Sequence, residues 1–203
     1  MPSIILSDNG VTSGLSGLRS TASNDGQLAL QTTTSGGTAT IALSISTGQI
    51  VTVVNDALIN GVTVGRGAGA DQFSTAVGYG ALSTNTANAA SNTAVGRYAL
   101  STLSSGIENT GLGRVALSSN TSGSYNTGLG HYALQANTTS NYSTAVGYQS
   151  LYNNTGGQNT SVGSYSFYSN TTGIYNVGVG VSSGYSNTSG LGHVALGWQS
   201  LYS

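Results

Sequence analysis

The sequence contains no cysteine and no lysine. Without cysteine there is no disulfide framework and no thiolate metal site. Charged residues of both signs make up only 4% of the chain, against roughly 25% in ordinary globular proteins. The basic residues are Arg19, Arg66, Arg97 and Arg114, the acids are Asp8, Asp25, Asp56, Asp71 and Glu108, and the formal net charge is -1. That balance offers no electrostatic footprint for nucleic acid or an anionic membrane. No segment approaches the roughly 20 apolar residues of a membrane span. The opening Met1-Pro2-Ser3-Ile4-Ile5-Leu6-Ser7 has no basic stretch, and its apolar run is too short for a signal peptide. Scarce charge beside abundant Gly, Ser, Thr and Asn could signal disorder, but disorder usually combines low hydrophobicity with high net charge. Here 37% of residues are apolar, and they recur at fixed places.

What is present is a repeat. Asn92-Thr93-Ala94-Val95-Gly96-Arg97-Tyr98-Ala99-Leu100 returns as Asn109-Thr110-Gly111-Leu112-Gly113-Arg114-Val115-Ala116-Leu117 and as Asn126-Thr127-Gly128-Leu129-Gly130-His131-Tyr132-Ala133-Leu134. It returns again as Ser143-Thr144-Ala145-Val146-Gly147-Tyr148-Gln149-Ser150-Leu151. The anchoring glycines Gly78, Gly96, Gly113, Gly130, Gly147, Gly163, Gly180 and Gly197 are spaced by 16 to 18 residues. A fixed period of this length marks a stacked repeat architecture. Helix is excluded, because each unit carries several glycines and each costs a helix about 1 kcal/mol relative to alanine. Two short strands per unit are expected instead, one at Thr93-Ala94-Val95 and one at Ala99-Leu100, joined by Ser-Asn-Thr-Ser-Gly turns. At the end of the array, Gly197 restores the 17-residue step better than Gly192 does, and the chain then stops in mid-unit at Ser203.

Residues 1–60 read differently. Loosely alternating tracts at 4–6, 27–31 and 38–54 are bounded by Asn9-Gly10, Asp25-Gly26 and Gly36-Gly37, which are strand and turn signals. The expected fold is therefore all-β: a small N-terminal β domain for capping or attachment over 1–60, then a parallel β-roll or β-solenoid of about eight repeats over 61–203. Asn60-Gly61-Val62-Thr63-Val64-Gly65-Arg66-Gly67 reads as a degenerate first turn of the array.

Stacking the repeats predicts two core ladders. One is Val77, Val95, Leu112, Leu129, Val146, Val162 and Val179, extended by Leu196. The other is Leu82, Leu100, Leu117, Leu134, Leu151 and Phe167, interrupted at Gly184 and resumed at Leu201. Two large apolar side chains per coil contribute about 1.5–3 kcal/mol each when buried. Ordering the backbone costs of order 1–2 kcal/mol per residue. Coil stacking offsets part of the deficit, and the remainder predicts that apolar columns of several chains meet on an axis, as an intertwined or side-by-side homotrimer.

The residue after each anchor glycine varies: Tyr79, Arg97, Arg114, His131, Tyr148, Ser164, Val181 and Trp198. Arginines about 4.8 Å apart along a ladder would be very costly to bury, so this column is expected to face solvent, with Glu108 compensating part of the charge. Tyr79, Arg97, Arg114, His131, Tyr148 and Trp198 form the candidate receptor-facing surface, with Tyr98, Tyr125, Tyr132, Tyr142, Tyr165 and Tyr175 nearby. Aromatic and arginine side chains are typical of binding hot spots, and aromatic faces suit sugar rings.

Nothing points to catalysis. Glycoside hydrolysis uses two carboxyl groups about one bond, and the repeats offer only Glu108 and, at their margin, Asp71. His131 and His193 are far apart and lack acidic neighbours, so they read as surface histidines rather than metal ligands. Gly111-Leu112-Gly113 is repeat glycine and not a phosphate loop. No cofactor is expected. The sequons at Asn120 and Asn170 follow from composition.

The Asn-Thr-Ala-Val-Gly-x-x-Ala-Leu units resemble the head repeats of trimeric autotransporter adhesins, and more closely the longer repeats of bacteriophage fibre proteins. The resemblance covers about residues 61–203. It implies a left-handed parallel β-roll trimer in an extended, host-facing fibre. As it stands the sequence lacks the secretion signal and membrane-anchor segment of the bacterial adhesins, and the self-cleaving chaperone domain of many phage fibres. The expectation is a structural virion fibre of the tail. Residues 1–60 would join it to other tail or capsid proteins, and the partner at the host would be a surface receptor, a glycan among the candidates. A capsid fibre and a segment of a bacterial adhesin are the alternatives. The column Thr93, Thr110, Thr127, Thr144 and Thr160 raises an ice-binding solenoid as a further class.

Overall fold

The computed structural model describes residues 57–59, 62–68, 73–86 and 88–202, with two further short strands, β1 (Arg19–Ser20) and β2 (Leu28–Ala29). By its internal contacts the chain divides into two units, Met1–Thr52 and Val53–Ser203. In the first, β1 and β2 pair antiparallel, with Arg19 opposite Ala29 and Ser20 opposite Leu28. β2 falls within the 27–31 tract. The tracts at 4–6 and 38–54 lie outside the described residues.

The second unit is a ten-stranded sheet. It opens with an antiparallel hairpin of β3 (Ala57–Ile59) and β4 (Val62–Gly65). The eight strands that follow are β5 (Thr75–Val77), β6 (Thr93–Val95), β7 (Thr110–Leu112), β8 (Thr127–Leu129), β9 (Thr144–Val146), β10 (Thr160–Val162), β11 (Val177–Val179) and β12 (Val194–Leu196). They stack in parallel and in sequence order, making a β-solenoid of about seven turns. Among the described residues there is no helix, and none long and apolar enough to cross a membrane.

The period is set by the glycines that close each strand. Gly130 has φ +140° and its missing Cβ would lie 2.3 Å from the carbonyl oxygen of Gly147 in the next coil. The same approach repeats at Gly78, Gly96, Gly113, Gly147, Gly163 and Gly180, so the step must carry glycine on both counts. β12 pairs with β11 through Val177–Val194 and Val179–Leu196, which is the register marked by Gly197.

Three expectations are corrected. Residues 62–65 do not begin the solenoid: β4 runs antiparallel to β5, with Val64 opposite Val77. The hairpin thus covers the edge of the first coil, where an open strand would present unpaired backbone groups. Second, Ala99-Leu100 is a turn and not a strand. Leu82, Leu100, Leu117, Leu134 and Leu151 hold left-handed φ values of 47–52°. That conformation costs an L-residue roughly 1–2 kcal/mol, and the burial it achieves is worth about as much or more. Each turn still bonds to the next coil, as in Leu100 N–H to Ala116 O at 3.0 Å.

Third, the chain's own core is not built from both predicted ladders. Leu82, Leu100, Leu117, Leu134, Leu151 and Phe167 are fully buried. Val77, Val95, Leu129 and Val146 are only half-buried, and Leu112, Val162, Val179 and Leu196 are exposed. The middle residue of each strand points inward instead: Ala76, Ala94, Gly111, Gly128, Ala145, Ser161, Gly178 and Ala195. The reason is width. A Cβ on Gly111 would already sit 3.2 Å from Leu100 Cγ, and one on Gly128 3.2 Å from Leu117 Cγ. Phe167, the one large ring inside, takes still more room: Cβ atoms on Gly178 and Gly184 would each fall 2.5 Å from it. This accounts for the interruption of the leucine ladder at Gly184.

Much of the rest of the interior is polar, and most of those groups are hydrogen-bonded. The residue before each strand is Ser74, Asn92, Asn109, Asn126, Ser143, Asn159, Asn176 or His193, and all but His193 are buried. Asn109 and Asn126 bond through their side chains to the coils on either side, and Asn92, Asn159 and Asn176 to the coil that follows. Asn109 Oδ1 accepts from Asn126 N (3.0 Å) and Nδ2 (3.1 Å), and Asn109 Nδ2 donates to Asn92 Oδ1 (3.1 Å) and Gly123 O (2.8 Å). Where Ser replaces Ala opposite the strands, the hydroxyls pair internally, as in Ser166–Ser183 at 2.7 Å.

A second asparagine column runs through Asn85, Asn120, Asn137, Asn154, Asn170 and Asn187, with Leu103 in the second coil. Asn187 Nδ2 donates to Asn170 Oδ1 (2.8 Å) and Asn170 Nδ2 to Asn154 Oδ1 (2.7 Å). Beside Leu103 the ladder has no partner to offer, and neither Oδ1 nor Nδ2 of buried Asn85 is hydrogen-bonded. Unsatisfied buried polar groups cost roughly 1–3 kcal/mol. Asn85→Leu is therefore expected to raise unfolding stability by about 1–2 kcal/mol, read as a higher urea midpoint. A lower midpoint would mean that the amide is satisfied.

Candidate functional site

The residue after each anchor glycine leaves the strand on the outer side of the coil. Tyr79, Arg97, Arg114, Tyr148 and Trp198 are exposed and His131 is half-exposed. The structure joins most of them through neighbouring rings. Tyr79 meets Tyr98 edge-on at 5.4 Å, and the Arg97 guanidinium lies 4.9 Å from the centre of the same ring. Arg114 Nη1 donates to His131 Nε2 at 3.1 Å and lies over Tyr132 at 5.8 Å. That contact requires the neutral imidazole with its proton on Nδ1. His131 in turn stacks on Tyr132 (4.1 Å) and meets Tyr148 edge-on (5.6 Å). Glu108 does not supply the compensation expected of it: it is exposed, and the arginines rest on aromatic and imidazole groups. Trp198 stands apart, separated from Tyr148 by the rungs of Ser164 and Val181.

Sequence reasoning missed a second outer column. Tyr152, Tyr168, Tyr185 and Tyr202 stack face to face, each 5.3 Å from the next. Tyr165 links this stack to Tyr148, at 5.2 Å from Tyr148 and 5.8 Å from Tyr168. The result is one aromatic ridge from His131 to Tyr202. The signal was present in the sequence: from the fifth coil on, each inner-column position is followed by Tyr (Leu151-Tyr152, Phe167-Tyr168, Gly184-Tyr185, Leu201-Tyr202). Loss of solvent around the rings pushes the phenols of Tyr168 and Tyr148 above their ordinary value, with neighbouring tyrosines adding to the shift. Such a surface can stack, donate and accept hydrogen bonds, and hold a planar or ring-shaped ligand against its flank.

His193 is exposed and its Nδ1 lies 3.1 Å from Asn187 Oδ1. Among the described residues no group of three or more His, Asp and Glu could hold a metal ion. The sequon asparagines Asn120 and Asn170 are fully buried members of the second ladder.

The chain matches no family model, no curated protein and no solved structure.

Proposed function

We propose that this chain is a segment of a homotrimeric bacteriophage fibre, most simply of the tail, that presents or mediates host adhesion. In this reading residues 1–60 join it to other virion proteins. The observation that carries it is the apolar strip along the outer face of the sheet. Val77, Val95, Leu112, Leu129, Val146, Val162, Val179 and Leu196 lie on successive rungs, none of them buried by its own chain. Eight rungs at about 4.8 Å span roughly 34 Å, and an unbroken apolar strip of that length marks an interaction surface. Three copies turned inward about one axis would cover it without leaving an open edge. The aromatic ridge and the arginine column would then face outward, where a host glycan or protein could reach them.

Sedimentation tests the assembly. The protein is expected to run as a trimer at micromolar concentration, and Leu129→Asp, which puts a charge on the axis, is expected to shift it to monomer while circular dichroism keeps its β signature. A monomeric wild-type chain would overturn the reading. Virion imaging with an antibody to the chain then separates tail from capsid placement.

A second reading has one observation in its favour. Thr75, Thr93, Thr110, Thr127, Thr144 and Thr160 form a solvent-reaching column beside the Val/Leu strip, and a flat, regular Thr-x-Val face could order water as ice does. Thermal hysteresis in a monomeric sample would favour it.

A further inference from the structure

The repeat is broken once in a way that opens a site. In the fifth coil the turn after the buried asparagine is one residue short. Asn120 and Asn170 donate to the carbonyl three residues on (Gly123 O, 2.9 Å; Gly173 O, 3.0 Å). Asn154 donates to Gly156 O only two residues on, at 2.6 Å. The missing residue leaves a depression of about 300 Å³ between the fourth and fifth coils, lined by Ser140, Asn141, Tyr142, Gly157 and Gln158.

Four of the five lining residues have a definite part. Tyr125 and Tyr142 stack at 4.9 Å with planes 1° apart, but the next rung is Gln158, so the ring stack ends at Tyr142, which is 58% exposed. Gly157 forms the floor: a Cβ there would lie 2.9 Å from Asn141 O, so any side chain would fill the space. Asn141 Oδ1 is held by the Ser124 N–H at 2.7 Å, which fixes the amide. Among the described residues neither Asn141 Nδ2 nor the side-chain amide of Gln158 has a hydrogen-bond partner. No charged side chain lines the depression.

We propose that this depression is a subsite for one neutral pyranose ring, an inference that rests on the host-adhesion reading and gives it a ligand class. The C–H face of a sugar is attracted to the electron-rich face of an aromatic ring, and Tyr142 supplies such a face. Two primary amides supply donors and acceptors for ring hydroxyls. The volume lies at the lower limit of ligand sites, about 300–1,000 Å³, which fits one ring rather than an oligosaccharide. The lack of charge favours a neutral sugar over a uronic or sialic acid. One such contact is weak, and three copies of the chain at the same height would multiply it by avidity.

Saturation-transfer NMR on the full chain, with methyl β-glucopyranoside and methyl N-acetyl-β-glucosaminide as probes, tests this. Transfer to the ring C–H protons is expected for at least one probe. It should fall at least fivefold in Tyr142→Ala and persist in Tyr142→Phe. Inserting a serine between Thr155 and Gly156 restores the 17-residue coil and should abolish transfer with the urea midpoint unchanged or raised. No transfer to either probe, or equal transfer in Tyr142→Ala, overturns the subsite. Host-cell binding by the trimer separates the two claims: Tyr142→Ala that binds cells like wild type leaves the fibre reading standing and removes the subsite's part in adhesion. Absence of a trimer removes the fibre reading, while the NMR result still decides the subsite.

Discussion

Asn109→Ala is expected to lower the unfolding free energy by about 4 kcal/mol, a large share of the 5–15 kcal/mol that holds a typical domain. Asn109 is fully buried at the centre of the first asparagine ladder. Its Oδ1 serves two donors of Asn126, its Nδ2 serves Asn92 and Gly123, and its own N–H reaches Asn92 Oδ1 at 2.8 Å. Alanine would leave Asn126 N–H without a partner in a site closed to water, at roughly 1–3 kcal/mol, and would remove one bond each from Asn126 Nδ2 and the Gly123 carbonyl, which keep Ser140 O and Asn120 Nδ2, with incomplete additivity. Stacked coils contact only their neighbours, so a failed rung weakens both adjoining interfaces. Asn109→Ser is the informative partner. Ser143 already occupies this rung in the fifth coil, where its N–H reaches Asn126 Oδ1 at 3.0 Å and its Oγ accepts from Asn159 N–H at 3.4 Å. The serine variant should lose about half as much. Urea unfolding of both decides the matter, and an alanine variant as stable as wild type would remove the ladder as a source of stability.

The ladder was hidden in the sequence for a definite reason. Asn92, Asn109 and Asn126 sit beside Thr and Gly in stretches rich in turn residues, where asparagine ordinarily serves a turn. Nothing local distinguishes an amide that points to solvent from one that bonds along a stack. The glycine step was legible because it answers to two constraints at once, positive φ and contact with the next coil. Strand position was legible too, since Thr-Ala-Val and its variants recur just before that glycine. Which strand face turns inward was not. Period-2 alternation separates Thr93 and Val95 from Ala94 but does not say which set lies inside, and bulk argues for valine. The answer depends on the coil's width, which Leu100 and its equivalents fill from the opposite side. Their left-handed φ was equally invisible, because a leucine adopts it only when burial offsets the strain. The hairpin at residues 57–65 looked like a repeat because Val62-Thr63-Val64-Gly65 mimics the strand and its glycine, and only pairing direction tells them apart. In the candidate surface, the column after the glycines was readable as outward from its arginines. The Tyr152–Tyr202 stack was passed over because the equivalent positions in earlier coils, Ser83, Ser101, Ser118 and Gln135, carry no aromatic.

Gly130→Ala should be nearly as damaging as the loss of Asn109, by a route that packing alone does not describe. At φ +140° an L-residue is strained by roughly 1–3 kcal/mol whatever surrounds it. The new methyl would also fall 2.3 Å from Gly147 O and 2.7 Å from Gly147 C, and these are backbone atoms that cannot swing aside. Relief requires the two coils to part, which stretches the bonds from Gly147 N–H to Leu129 O (2.7 Å) and from Gln149 N–H to His131 O (3.0 Å). Together these put the expected loss near 4 kcal/mol. Gly197→Ala separates the two contributions. Gly197 has φ +105°, and nothing lies within 4 Å of its missing Cβ, so that variant carries the dihedral strain without the collision and should lose only about 1–2 kcal/mol. Urea midpoints of the two variants measure the difference. If Gly130→Ala costs no more than Gly197→Ala, the period is held by backbone conformation alone. If it costs the additional 2 kcal/mol or more expected from the collision, close approach between coils is what keeps a glycine on every step.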